Sequence, residues 1–204
     1  WRQLEPEEIF GYELLRNNIL SNSGVLLKRE VALQVGGYDQ SLKYSQDWDL
    51  WLRLAQNGGF GYVDQPLVKI RRHTNNTSRK VSTFLEDELR ILKKYDLDFI
   101  ENAIHRRHLP WEVNRVDFVA VLYRMGYWEK GYSLLDEVVS KTPNLPTAFF
   151  LKGLFHLRQK EIGQAEIAFE QTLCLEPNHG AALNNFSGIK ALQGDFEIAK
   201  QNLE

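Results

Sequence analysis

With 204 residues the chain is long enough for one full domain or two small ones, and 43% hydrophobic against 25% charged residues is ordinary globular composition. Its 25 Lys and Arg against 27 Asp and Glu leave a net charge of −2, which excludes nucleic-acid binding through a broad basic surface and makes any anion site a local one. The single cysteine, Cys174, excludes an internal disulfide framework and is read as core filler, and no apolar run approaches the roughly 20 residues of a membrane helix. A reducing compartment, the cytoplasm, is expected, with the chain free or peripheral to the inner face of the membrane. The chain opens at Trp1 and stops within a helical pattern at Glu204, so a fragment of a longer protein is expected.

Taken in order, Pro6 followed by Glu7 and Glu8 opens a helix, with Ile9, Leu14, Leu15 and Ile19 as its apolar positions. Residues 23–28, SGVLLK, read as a short strand, and 30–35 as a helix stopped by Gly36 and Gly37. A second helix, about 47–56, is apolar almost all round through Trp48, Leu50, Trp51, Leu52 and Leu54, the signature of a buried helix. Residues 60–71 form an extended segment broken by Pro66, followed by a polar loop at 73–78 and a linking helix over about 82–95.

Beyond residue 110 an internal period governs the pattern. Pro143 and Pro177 lie 34 residues apart; Gly131, Ala165 and Ala199 keep the same spacing, as do Leu135, Phe169 and Leu203, and Arg115, Phe149 and Leu183. Val119, Gly153 and Ser187 form a further column of small residues where two helices of a hairpin approach closely. The period predicts paired helices at 112–125, 128–141, 146–159, 162–174, 180–193 and 195–204. This stretch resembles the tetratricopeptide repeat, with repeats at about 112–145, 146–179 and a truncated 180–204. Arg115 and Gly131 make the first repeat degenerate, and Lys152 stands where an apolar residue is expected. The resemblance implies a concave face suited to a protein partner, or a plain spacer.

The first part carries a second resemblance. The run SNSGVLLKREVALQVGGYDQSLKYSQDWDLWLRLAQNG, followed by PLVKIRRH, is similar to the acceptor-side half of GT-A-fold glycosyltransferases of family 2. That family shows a strand, a basic helix, Gly-Gly-aromatic-Asp, a carboxylate-Asp pair opening a Trp- and Leu-rich helix, and a Pro-Leu strand ending in Arg-x-His. The implied fold is α+β, mostly α: a partial GT-A half over 1–80, a helical linker over 81–110, and an α-helical tetratricopeptide solenoid over 111–204.

The resemblance implies roles, each with a plainer alternative. Asp47 falls on the catalytic aspartate, which takes a proton from the acceptor hydroxyl; its plainer role is helix capping. Gln46 stands where the family carries Glu. His73 falls on the histidine that reaches a divalent cation, Mn²⁺ or Mg²⁺, bound to the donor diphosphate, and Arg71 and Arg72 suit phosphate contacts or are simply solvated. Gly36 and Gly37 match a loop beside the donor sugar and equally cap a helix; Asp39 suits a sugar hydroxyl or a turn. Trp48 offers a ring for stacking on a sugar, whereas Trp51 is read as core. The implied activity is sugar transfer with inversion from a nucleotide-sugar donor to a glycan, lipid or protein acceptor. No Asp-x-Asp after a strand is present, so no tightly bound donor or cofactor is expected in these residues. The alternative is a repeat scaffold carrying a non-catalytic transferase remnant.

Overall fold

The structure, a computed structural model, describes residues 4–16, 22–58, 60–61, 63–69, 71 and 84–201. The chain divides into two units, Trp1–Pro110 and Trp111–Glu204.

The first unit contains α1 (Pro6–Arg16), a 3₁₀ turn at Asn22–Gly24, α2 (Arg29–Gln34), α3 (Gln46–Ala55), α4 (Phe84–Leu92) and α5 (Leu97–His105). Glu8, fully buried, starts α1 by accepting the N–H of Glu5 at 3.0 Å, one arm of a capping box, and also accepts the N–H of His108 at 3.1 Å. Asp96 caps α5 by accepting from the N–H of Phe99 at 2.7 Å. The centre is α3, whose Trp48, Leu50, Trp51, Leu52 and Leu54 are all buried. Each such side chain contributes about 1.5–3 kcal/mol on leaving water, and together they fix the axis of this ten-residue helix.

The expected mixed α+β half is corrected by this arrangement: all regular structure among the described residues is helical. Residues 23–28 do show the two-residue alternation of a strand. Val25 and Leu27 pack against Leu50, Trp51 and Leu54, while Leu26 is 98% exposed. Alternation alone satisfies only the side chains; a strand also needs a neighbour for its backbone, and no described residue forms a ladder with this segment. Around Pro66 the backbone bonds to itself instead. The N–H of Gln65 donates to the Val63 carbonyl and that of Leu67 to the Gln65 carbonyl, both at 2.9 Å, the spacing of γ-turns.

Gly11 is where α1 meets α5. A Cβ built there would stand 2.5 Å from the carbonyl oxygen of Ala103, a backbone atom that cannot swing aside. Gly11→Ala is therefore expected to cost about 1–3 kcal/mol through overpacking, although alanine is the better helix former by about 1 kcal/mol. Urea unfolding measures the difference; a neutral or stabilised variant would show that helix propensity, not the close approach, governs this position.

The second unit is a series of helical hairpins: α6 (Trp111–Met125) with α7 (Trp128–Lys141), α8 (Pro146–Arg158) with α9 (Ile162–Leu175), and α10 (Gly180–Gln193) with α11 (Phe196–Gln201). These spans follow the 34-residue period closely. Gly153 sits against the ring of Phe169, leaving a Cβ only 2.5 Å of room, and Gly131 sits likewise against Tyr123. The hairpin turns add a column that the sequence hides. Gly126, Lys160 and Gly194, again 34 apart, all take left-handed φ angles of 89°, 62° and 92°. At each, the two amides that follow the helix close back on its last turn, as Glu161 does on His156 at 2.9 Å and Asp195 on Lys190 at 2.9 Å.

Cys174 is exposed, not core filler. The buried face of α9 carries Ala165, Ala168, Phe169 and Thr172, and a residue two positions beyond Thr172 lies about 200° round the helix. In the last hairpin Leu192, Phe196 and Ile198 are exposed, while Leu203 lies outside the described residues.

Candidate functional site

The site is built on the loop that joins α2 to α3. Helix α2 ends at the two glycines in left-handed conformations, Gly36 at φ 90° and Gly37 at 65°; the N–H of Gly36 closes on the Leu33 carbonyl at 3.0 Å and that of Gly37 on Ala32 at 2.8 Å. The helix-cap role of this pair is thus met in the structure. Nothing lies within 4 Å of a Cβ built on Gly37, so the loop leaves open space at that point.

Four charged side chains hold the loop. Asp49, fully buried on α3, accepts from Arg53 Nε at 3.0 Å and Nη2 at 2.7 Å, and from Lys94 Nζ at 2.6 Å. Arg53 also donates to the carbonyls of Val35 and Gly37, the latter at 2.7 Å, which ties both ends of the glycine turn to α3. Lys94 bridges to Asp39 at 2.9 Å. Asp39 in turn accepts from the Ser41 hydroxyl at 2.6 Å and the Ser41 N–H at 3.0 Å. The Ser41 hydroxyl first, and Lys94 after it, hold the Asp39 carboxyl far below the ordinary range. Burial pulls the Lys94 ammonium down, but the Asp49 and Asp39 carboxylates outweigh it and its pKa ends above the usual lysine value. Asp39, expected at a sugar hydroxyl, is thus engaged inside its own loop.

Asp47 occupies the first turn of α3 and is half-buried. Its Oδ1 accepts the N–H of Trp48 at 2.8 Å. Residues 47 and 49 are two apart on a helix, about 200° round its axis, so their carboxylates point to opposite sides and the letters Asp-x-Asp do not make a paired site. Gln46 has its own use: its amide donates to the Leu42 carbonyl at 2.7 Å, a bond that a glutamate carboxylate cannot donate. Trp48 is corrected as a sugar platform. It is fully buried, and its indole N–H donates to the Glu13 carbonyl at 2.9 Å, so neither face of the ring reaches a ligand. Arg71 is exposed at the end of its described segment, and Arg72 and His73 lie outside the described residues. Among the described residues no group of three His, Cys, Asp or Glu side chains stands ready for a metal ion.

A shallow groove of ≈ 520 Å³ lies by the C-terminal end of α3, lined by Glu7, Phe10, Gln56, Gly58, Phe99 and Arg106. It contains none of the candidate site residues named from the sequence. Within it Phe10 meets Phe99 edge-on at 5.2 Å; Tyr95, which does not line the groove, stacks on Phe99 at 5.8 Å between ring centres. Burial pushes the Tyr95 phenol up to about 12.

Sequence reasoning missed Asp49, Arg53, Asp87 and Lys94. A signal existed: Asp49 and Arg53 stand at i,i+4 in a helix otherwise apolar on every side, a spacing that places a buried acid beside its own counter-ion.

No protein-family model matches the chain. It is 23% identical over 134 residues to an uncharacterized glycosyltransferase of Rickettsia typhi, covering 62% of this chain and 40% of that protein. An uncharacterized glycosyltransferase of Haemophilus influenzae is 24% identical over 145 residues, covering 70% of this chain and 48% of the relative. A third, from Rickettsia prowazekii, is 24% identical over 99 residues, 45% of this chain and 31% of its own length. The chain thus spans less than half the length of these relatives. Among solved structures, MamA 41-end from Desulfovibrio magneticus RS-1 superposes with a TM-score of 0.42 at 17% identity, covering 62% of this chain and 84% of that one. A crystal structure of MamA gives 0.43 at 13% identity, covering 65% and 92%. No helix among the described residues is long and apolar enough to cross a membrane.

Proposed function

We propose that this chain supplies the acceptor-activating part of an inverting glycosyltransferase, with Asp47 as the general base. The proton of the acceptor hydroxyl passes to the Asp47 carboxylate as that oxygen attacks the anomeric carbon. The new C–O bond forms while the bond to the nucleotide diphosphate breaks, its electron pair leaving on the phosphate oxygen. The observation that carries this reading is the half-buried carboxylate of Asp47, raised on a helix fixed by its core and placed directly after an anchored glycine loop. The names of the three relatives support it.

In this reading Gly36 and Gly37 shape the wall beside the donor sugar, Arg71 and Arg72 suit phosphate contacts, and the nucleotide is held by residues outside these 204. A bound divalent cation, Mn²⁺ or Mg²⁺, supplies stabilisation of the leaving group's charge, with His73 as the ligand the family pattern points to. The helical hairpins of the second unit serve as an interaction module or spacer. The test is release of nucleoside diphosphate by the full-length polypeptide across a panel of sugar nucleotides with Mn²⁺ and glycan, lipid or protein acceptors. Turnover of one donor class is expected, with none from the 204-residue chain alone. If the full-length polypeptide neither binds nor turns over any donor, the transferase reading is wrong and the repeat-scaffold alternative takes its place.

A further inference from the structure

The helix α4 and the turn after it, which the sequence presents as a mere linker, grip the loop before α3 at three successive points. Asp87 Oδ2 accepts the backbone N–H groups of Lys43 at 2.8 Å, Tyr44 at 2.7 Å and, more weakly, Ser45 at 3.4 Å. Arg90 donates to the Ser41 carbonyl at 2.9 Å and to its hydroxyl at 3.0 Å. Lys94 reaches Asp39 and Asp49. Positions 87, 90 and 94 share one helical face, so a single side of this element presents an acid, a guanidinium and an ammonium to the loop in turn.

Asp87 stands out among the three because it is only 4% exposed and because of where its three donors sit. Ser45 is the cap position of α3, yet its side chain makes no capping bond, so the N–H groups leading into that helix have no acceptor from the cap residue. A carboxylate from another element does so instead, gathering three consecutive N–H groups. Bonds from N–H donors to an ionised acceptor are about twice as strong as neutral ones, and removing the acceptor takes that partner from all three donors, of which Ser45 is buried and Tyr44 partly so. Asp47 follows Ser45 by two residues. The body of α3 is held separately by Trp48, Leu50, Trp51, Leu52 and Leu54, so loss of Asp87 loosens the start of the helix and not its packing.

We propose that Asp87 is a positioning residue that holds the Asp47 carboxylate in line with the acceptor hydroxyl; this rests on Asp47 being the general base. Displacement of a reacting group by about 1 Å costs on the order of 100-fold in rate. The test is a double-mutant cycle in the full-length polypeptide with Asp87→Ala, which removes the accepting oxygen, Asp47→Asn and the pair. Asp87→Ala is expected to lower turnover about 10- to 100-fold with donor affinity within about twofold, since the loss lies in geometry at the reacting atom. In the Asp47→Asn background the same change is expected to alter residual turnover by less than about twofold, because a residue acting only through Asp47 has nothing left to position.

A further full loss in the double variant would overturn the proposal, since Asp87 would then act on the fold at large. Wild-type turnover in Asp87→Ala beside an inactive Asp47→Asn would overturn it too, and leave the base assignment standing. Wild-type turnover in Asp47→Asn would remove both. Should Asp87→Ala fail to fold, Asp87→Glu keeps the charge and moves the oxygens out by one methylene, and the same cycle with it carries the same expected and overturning results.

Discussion

In the full-length polypeptide, Asp47→Asn is expected to lower turnover about 10²- to 10⁴-fold while donor affinity changes by less than about twofold. Asparagine keeps the shape of the side chain and an oxygen able to accept the N–H of Trp48, the bond now made at 2.8 Å. What it loses is the ability to take a proton as the acceptor oxygen becomes nucleophilic. An interaction made only in the transition state lowers kcat and kcat/KM together, whereas a capping role predicts little change in rate or stability. Turnover, donor affinity and thermal midpoint are measured on the same preparation. Turnover within a few-fold of wild type, with the fold intact, would end the assignment of Asp47 as base.

Asp49→Ala is expected to destabilise the first unit by about 3 kcal/mol, the lower end of the range for breaking a buried ion pair. The Asp49 carboxylate is fully buried and serves Arg53 and Lys94 at once; those two side chains keep 21% and 36% of their area exposed, so water can partly re-solvate them. The change also frees Arg53, which holds the Val35 and Gly37 carbonyls, so the glycine turn should loosen with it. Hydrogen exchange of the α3 amides reads the effect without a contribution from the helical hairpins of the second unit. A loss below about 1 kcal/mol, the size typical of exposed pairs, would show that the network is solvated and that the core alone holds α3.

Much of the fold is local and therefore legible. The 34-residue spacing of Gly131, Ala165 and Ala199 marked the hairpins because each column records a close helix approach set within a few turns of chain. The left-handed column escaped because Lys160 stands between two glycines, and residue type does not reveal a φ of 62°. The strand at 23–28 was misread for a different reason: its alternation is real, but a strand exists only with a partner, and partners are not local. The helix α5 falls within the helical linker expected over 81–110, but no separate helix was expected there after residue 95.

At the site the division is sharper. The sequence by itself determined that an acid would open the Trp-rich helix after two glycines, since caps, turns and apolar periodicity are encoded within a few residues. Only the tertiary structure decided which acid is buried and which stays partly exposed. By residue type alone two carboxylates two positions apart are equivalent, and only the resemblance set Asp47 apart; in the structure Asp49 faces inward onto Arg53 and a lysine 45 residues away, while Asp47 faces partly outward. Asp87, remote from the loop by more than 40 residues, became its chief backbone anchor. Buried charges choose partners across space to offset desolvation, and that choice depends on how helices pack, a quantity no local pattern carries.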